Sequence, residues 1–258
     1  MFSWRADDLG VTRAFTSRLG GVSTGPYAGL NLGGHVGDDP LAVEENRRRL
    51  AVALGVARER LVLMDQCHGA EVAVVSGRPE RAPSVDALVT TEPDLALVSL
   101  VADCTPVLLA DLHGPAIAAV HAGRPGMMKG VVQQAVSTMR ELGAVRLEAT
   151  VGPSVCGRCY EVPEPMRAEA VQAWPETCAV TWTGTPAIDV AAGVVAQLTR
   201  LGVAVTWVPG CARERDDLYS HRRDGVTGRL VPVGDAASVA AGASVSASHP
   251  WSTSMTAS

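Results

Sequence analysis

Short apolar segments separated by turn residues fill much of the chain. They are rich in Val, Ala and Leu, and each is bounded by Gly, Pro or Asp, which is typical of β-strands. A strand that ends in turn glycines is predicted around Phe15. Seven more buried strands are predicted at residues 61–64, 71–76, 87–90, 96–101, 107–111, 116–120 and 147–151. An eighth is predicted at residues 203–208.

Helical spacing of apolar residues marks four other segments. The clearest begins at Asp39, a good N-cap, with Pro40 in the first helical position. Leu41, Leu50 and Leu54 are predicted to share its buried face. Three more helices are predicted at residues 127–142, 163–174 and 189–201. Because strands and helices do not alternate strictly, we expect an α/β (α+β) domain with mixed β-sheets and flanking helices.

Two segments do not fit regular elements. Residues 23–39 form a polar, Gly-rich loop, which is either an ordered surface loop or part of a functional site. From residue 235 onward the chain is rich in Ala and Ser and has little to bury. We therefore predict a single folded domain over residues 1–234 and a disordered tail over residues 235–258.

Composition narrows the function. The 258 residues include 22 Lys and Arg against 27 Asp and Glu, a net charge of −5, which disfavours a nucleic-acid partner. No apolar stretch approaches the roughly 20 residues of a membrane span, so no membrane partner is expected. The start of the chain has no apolar export signal. The cytoplasm is therefore the expected location, and the six cysteines are expected to be thiols.

Three segments each place one potential metal ligand beside a predicted strand. These ligands are His68 in DQCHG, Cys104 in ADCTP and His121 in VHAG. Two imidazoles and a thiolate suit Zn²⁺ and leave a fourth position for water or substrate. The spacing forms no compact motif, so a buried thiol and core histidines are the alternative interpretation. Cys67 is expected to point to the opposite face from His68.

The order of these motifs resembles the YfiH family, the laccase-domain proteins also described as purine nucleoside phosphorylases and peptidoglycan editing factors. The resemblance runs from Phe15 to Leu230. It implies a mixed α/β fold and a Zn²⁺ cofactor held by His68, Cys104 and His121. The matching segments are TSRLGGVSTGPYAGLNLGGHVGDDPLAVEENRRRL, DQCHGAEV, VDALVT, ADCTPVLLAD, AAVHAG, TVGPSVCGRCYEV and HRRDGVTGR. One segment departs from the family: HAGRPG stands where HAGWRG is common.

The resemblance implies a zinc-dependent purine nucleoside phosphorylase acting on adenosine, inosine or methylthioadenosine, with adenosine deaminase activity as a further possibility. A purine nucleoside and phosphate would then be its partners. The alternative is a cysteine amidohydrolase acting on peptidoglycan precursors, with Cys104 as nucleophile, His121 as base and His68 as its orienter. A partner-binding protein with a vestigial site is a third hypothesis, which the intact ligand set disfavours. Six histidines without an HxH pair are too few for a multicopper oxidase.

Other polar residues are candidates for the substrate pocket. Arg47 resembles the family arginine that faces the active site and would suit phosphate, although a solvated helix arginine is the alternative. Asn31 and His35 are expected either to line the pocket or to cap their own loop. Asp103 is a candidate general base or a structural residue at a strand end.

Two further groups of residues leave alternatives open. Arg222, Arg223 and Arg229 form a basic patch, which is either an anion site or a set of salt bridges. Cys156 and Cys159 form a CxxC pair. A single such pair lacks the second pair of a structural zinc site, so we expect ordinary thiols or a redox pair there.

Overall fold

A computed structural model describes residues 1–8 and 10–236, and these contain thirteen β-strands and six α-helices. The strands are β1 (Phe2–Asp8), β2 (Val11–Thr16), β3 (Leu61–Leu63), β4 (Val72–Val74), β5 (Ala87–Thr90), β6 (Ala96–Val98), β7 (Thr105–Asp111), β8 (Ile117–Ala122), β9 (Leu147–Val151), β10 (Cys178–Val180), β11 (Pro186–Ile188), β12 (Ala204–Trp207) and β13 (Pro232–Ala236). The helices are α1 (Pro40–Leu54), α2 (Arg124–Lys129), α3 (Val131–Glu141), α4 (Glu164–Ala173), α5 (Val190–Arg200) and α6 (His221–Asp224). In this part of the chain, no helix has the length and hydropathy that crossing a bilayer requires.

The strands form two large sheets and one hairpin. The first sheet has the order β1-β2-β13-β6-β3, the second has the order β12-β9-β7-β8-β5-β4, and β10 pairs with β11. Three neighbouring pairs are parallel, namely β3 with β6, β4 with β5, and β9 with β12, whereas the other pairs are antiparallel. The predicted class, mixed sheets with flanking helices, is confirmed.

The two large sheets pack face to face between layers of helices. Alternation along β8 shows this arrangement, since Ile117 lies in the core between the sheets and Val120 lies against the helices. Leu50 of α1 packs on the outer face of the five-stranded sheet. Leu108 of β7 is fully buried between the sheets. Its truncation to Ala would cost about 2–5 kcal/mol of stability.

Several elements differ from the prediction. The segment at 127–142 is two helices, because Gly130 adopts a left-handed φ of +90° that ends α2 before α3 begins. Leu41 is 80% exposed, so its predicted burial is wrong; Val43 and Leu50 are among the residues that bury that helix. The prediction omitted β1, β10, β11 and β13, whose short or polar sequences form strands only through their partners.

The C-terminal boundary is only partly visible. Asp235 and Ala236, the first residues of the predicted tail, are the last two residues of β13, which pairs with β2 and β6 inside the first sheet. The rest of the tail lies outside the described residues. The predicted extent of the tail therefore stays a prediction beyond Ala236.

Candidate metal centre and active site

The structure brings the three predicted ligands together. His68 follows β3, Cys104 lies just before β7, and His121 is in β8, which pairs with β7. The Cys104 Sγ lies 3.7 Å from the His68 Nε2, and the two imidazole rings meet edge to face with centroids 4.8 Å apart. The ligand atoms of all three residues lie within 4.8 Å of one another. Ligands distant in sequence thus converge because β7 and β8 are neighbours.

Asp86, immediately before β5, organises this group from behind. Its carboxylate accepts hydrogen bonds from the backbone N–H groups of Cys67, His68 and Gly69, at 3.3, 3.0 and 2.6 Å. It also accepts one from the His121 Nδ1, at 2.7 Å. One buried carboxylate therefore fixes the ring of His121 and the backbone of the loop that carries His68. Sequence reasoning missed this role, although an acidic residue at the start of the apolar VDALVT segment was a visible signal.

The hydrogen bond to Asp86 sets the tautomer of His121. Because the Nδ1 of His121 carries the proton that it donates to Asp86, the Nε2 is left to face Cys104 or a metal. Burial alone would raise the pKa of Asp86. The hydrogen bonds from His121, from the N–H of Gly69 and from the thiol of Cys67 instead hold it well below its usual range. Asp86 is therefore an anion at neutral pH.

Local backbone geometry also holds the His68 loop. Gln66 donates its amide N–H to the carbonyl of Leu100 at 2.8 Å and accepts the N–H of Leu100 at 2.6 Å. His68 and Asp103 have left-handed φ values of +56° and +91°, which are unfavourable for residues with a Cβ. Each such position costs about 1–3 kcal/mol and persists only where its surroundings enforce it. Both strained positions lie at the ligand group.

The residues present fit a zinc ion. A thiolate with two imidazoles is a ligand set that zinc uses, and the carboxylate behind His121 is the usual support of a histidine ligand. Gly123 keeps the space open: a Cβ there would lie 2.7 Å from the His68 ring and 3.2 Å from the Cys104 Sγ. Three protein ligands leave one coordination position for another molecule.

The electrostatics of the group favour a thiolate. Burial acts to raise the pKa of the Cys104 thiol, but the charge and hydrogen bond of His121, with the hydrogen bond of His68, lower it to about 6. Burial acts to lower the pKa of His121, whereas Cys104 and Asp86 raise it to about 9. Without metal, Cys104 and His121 therefore form a thiolate–imidazolium pair at neutral pH. With metal, the thiolate is the form that binds.

A cavity of about 390 Å³ opens onto the three ligands. This volume lies within the range of small-molecule sites. Its wall includes His35, His221 and Arg229, and Met64 and Leu100 add an apolar surface. The cavity therefore brings together the three candidate metal ligands, a cationic side chain and an apolar surface on which a flat ligand can pack.

The predicted substrate residues fall in three different places. His35 lines the cavity, and its pKa is lowered by burial and by the charge of Arg229. Arg47 lines a neighbouring cavity of about 360 Å³, which shares His35 with the first. Its Nε and Nη2 donate to the carbonyl of Leu32, at 3.0 and 2.9 Å. Asn31 is fully buried, and its amide is bonded within its own loop and to the N–H of Arg229.

Asp103 acts on the fold next to the ligands. Its carboxylate accepts the Oγ–H of Ser220 at 2.6 Å and the N–H of Arg222 at 2.7 Å, so it is bonded to the start of α6. These contacts fit the structural alternative for Asp103 better than the role of a general base.

The basic patch separates into three environments. Arg223 pairs with Asp224 and donates to four backbone carbonyls, and Arg222 lies over the ring of Tyr160. Only Arg229 of the three reaches the cavity. Sequence reasoning placed it in the patch without singling it out, because a guanidinium's direction depends on the fold.

Comparisons with known proteins identify the family of the chain. Residues 12–233 match the family model described as multi-copper polyphenol oxidoreductase laccase. The chain belongs to the YfiH family. A purine nucleoside phosphorylase of Streptomyces coelicolor is 57% identical over 228 residues, which are 86% of this chain and 93% of the relative. The purine nucleoside phosphorylase YfiH of Shigella flexneri is 34% identical over 86% of this chain and 92% of its own length.

A solved structure of the family supports the fold. YlmD from Geobacillus stearothermophilus superposes with a TM-score of 0.81 at 30% identity, covering 88% of this chain and 92% of that one.

The departure HAGRPG from the common family sequence lies in the first turn of α2. Neither Arg124 nor Pro125 there lines the 390 Å³ cavity. The departure therefore leaves the candidate ligand His121 in place, and the residues that replace the common Trp and Arg are not part of the cavity wall.

Proposed function

We propose that the chain is a zinc-dependent purine nucleoside phosphorylase that acts on adenosine, inosine or methylthioadenosine. The observation that carries this proposal is the opening of the His68, Cys104 and His121 group into a cavity with Arg229 in its wall. The names of relatives 34–57% identical support the same reaction class. A purine nucleoside and inorganic phosphate are the proposed substrates, and the cytoplasm, where both are available, is the proposed location.

The reaction needs phosphate aligned on the sugar. A phosphate oxygen attacks C1′ of the ribose, the bond from C1′ to the purine nitrogen breaks, and the purine leaves with a proton from solvent or a side chain. Arg229 supplies a charged donor that phosphate can bind. His35, in which burial and Arg229 favour the neutral form, can hydrogen-bond the nucleoside. Zn²⁺, when bound, would supply Lewis acidity toward an oxygen of the phosphate or of water.

The ligand residues keep this arrangement rigid. Asp86 holds the Nδ1–H of His121 and the backbone of the His68 loop, so the His121 imidazole does not need to reorient when a substrate arrives. The same open position suits a water molecule directed at C6 of adenosine. We propose deamination of adenosine as a second activity of this site.

A cysteine amidohydrolase acting on peptidoglycan precursors is the second candidate function. It is favoured by the chain of groups from Asp86 through His121 to Cys104, in which a carboxylate orients an imidazole beside a thiol of lowered pKa. In this version Asp86, and not His68, is the orienter of the base. Removal of zinc separates the two hypotheses, because a cysteine nucleophile is active without metal, whereas the proposed phosphorylase is not.

The proposal is tested by inosine cleavage at several phosphate concentrations, with ribose 1-phosphate measured as product. Cleavage should require phosphate. Arg229→Ala should raise the KM for phosphate roughly ten- to a hundredfold, since a lost hydrogen bond to a charged group typically costs about 1.5–3 kcal/mol. Arg47→Ala is the matched comparison, and its effect should be smaller because Arg47 lines the neighbouring cavity. Equal cleavage without phosphate, with ribose as product, would contradict the phosphorylase proposal.

A further inference from the structure

A second group of thiols lies apart from the three ligands already described. The ligand atoms of Cys156, Cys159, Cys211 and Glu214 all lie within 4.8 Å of one another. The CxxC pair is therefore not isolated, because the fold brings to it a second pair with the same spacing, Cys211-x-x-Glu214. Two CxxC pairs are typical of a structural zinc site, and here Glu214, whose carboxylate oxygen can also bind zinc, stands in place of the fourth cysteine.

The two pairs are built alike. In the first, the N–H groups of Cys159 and Tyr160 both donate to the carbonyl of Cys156, at 2.9 and 3.0 Å. In the second, the N–H groups of Glu214 and Arg215 both donate to the carbonyl of Cys211, at 3.2 and 3.0 Å. Two matching tight turns thus direct their side chains toward one point.

We propose that Cys156, Cys159, Cys211 and Glu214 bind a structural Zn²⁺ ion. Three thiolates and a carboxylate complete four ligands, so the site has no open position. At a Zn–S distance of about 2.3 Å, tetrahedral sulfur atoms lie about 3.8 Å apart, which is compatible with four ligand atoms that all lie within 4.8 Å of one another. Cys159 and Cys211 are only 6% and 7% exposed.

Neighbouring groups already orient the four side chains. The N–H of Cys156 donates to the Sγ of Cys211 at 3.4 Å. The Trp182 Nε1 donates to the Glu214 Oε1 at 3.3 Å, and the Cys159 Sγ lies 3.2 Å from the same oxygen. These two contacts hold the carboxylate of Glu214 beside the Cys159 Sγ, although Glu214 is exposed at the surface.

The position of this site gives it a structural consequence. The two turns follow β9 and β12, which are parallel neighbours, so a zinc ion would join the segments leaving the same edge of the sheet. The N–H of Val155 donates to the carbonyl of Asp103 at 2.9 Å, and the carboxylate of Asp103 binds the start of α6. The proposed ion would therefore brace the residue beside Cys104 without touching the cavity.

The first experiment counts metal in the purified full-length protein by elemental analysis. With both sites filled, wild type should contain two zinc ions per chain, and Cys156→Ser/Cys211→Ser should contain one. Cys178→Ser, which changes an exposed thiol outside both ligand groups, should keep two. Cys104→Ser should lose the ion of the other site only. If Cys104→Ser retained no zinc while wild type bound one ion, the second site would be refuted and the catalytic one supported.

A second measurement uses the unaltered protein, so that a variant that fails to fold cannot decide the outcome. The protein is alkylated at alkaline pH, where thiols of raised pKa also react, either in buffered zinc or after chelation. The labelled cysteines are identified by mass spectrometry. Cys156, Cys159 and Cys211 should be protected together by zinc and labelled together after chelation. Exposed Cys67 and Cys178 serve as controls that label in both states. Equal labelling of the three thiols with and without zinc, or a disulfide among them in zinc-loaded protein, would overturn the proposal.

Discussion

The two groups of potential metal ligands use similar side chains in opposite ways. His68, Cys104 and His121 come from separate segments of the chain and meet at a cavity, so a zinc ion held by them would have one coordination position open. The CxxC and CxxE pairs come from two tight turns and close around one point. The first group has a buried carboxylate behind it, Asp86, which fixes the direction of the His121 imidazole and holds the backbone at His68.

This difference indicates different roles. An open position with charged and apolar groups around it can accept a substrate, whereas four ligands supplied by two turns can only join segments of the chain. Thiols also have different acidities in the two places. The imidazoles lower the pKa of Cys104, while burial and the contact with Glu214 raise that of Cys159 well above its usual range.

The largest expected effect is on thiol reactivity in zinc-free protein. A thiol reacts as the thiolate, which predominates above its pKa. Cys104, with a pKa of about 6, should be mostly thiolate at pH 7 and lose reactivity as the pH falls through 6. Cys159, whose pKa lies well above that of an ordinary thiol, should react more than roughly 100-fold more slowly at pH 7 and become reactive only in alkaline solution. Alkylation rates of each cysteine between pH 5 and 10 would measure this difference in reactivity. Equal rates for Cys104 and Cys159 would contradict the prediction.

A smaller effect is expected from Asp86→Asn. The substitution removes the anion that orients His121, so zinc affinity at the open site and inosine cleavage should fall by roughly 10–100-fold. The proposed closed site should keep its zinc, because Asp86 does not contact it.

Asp111→Asn is the matched control for this variant. Asp111 is also a buried carboxylate that accepts backbone N–H groups, from Val145 and Arg146, but it contacts no candidate ligand. It should lower stability without changing zinc content or KM. If Asp86→Asn behaved like Asp111→Asn, the positioning role of Asp86 would be wrong.

Much of the fold and the three ligands could be predicted from the sequence. The buried strands around β7 and β8 are continuous apolar runs, and His68, Cys104 and His121 stand in motifs that resemble a family. Strands such as β13 could not be predicted, because Pro232–Ala236 is a strand only through its pairing with β2 and β6. Local sequence signals carry no information about such long-range pairing.

The same limit applies to the site. Asp86 and Arg229 are ordinary charged residues in the sequence, and their roles depend on directions that the folded chain sets. Cys211 and Glu214 lie more than fifty positions from the CxxC pair, so spacing within one segment could not reveal the second pair. Conversely, Asn31 has the polarity of a pocket residue, but the fold uses its amide to hold the loop.

The role of His68, Cys104 and His121 as a catalytic zinc centre is tested most directly by phosphate-dependent inosine cleavage by Cys104→Ser. The zinc content is determined in the same preparation. Cys67→Ser is the control, since Cys67 adjoins His68 but lies outside the ligand group. Cys104→Ser should lose the zinc of the open site together with its cleavage activity, whereas Cys67→Ser should retain both. Phosphate-dependent cleavage at the wild-type rate by Cys104→Ser would contradict the assignment of the open site as the catalytic centre.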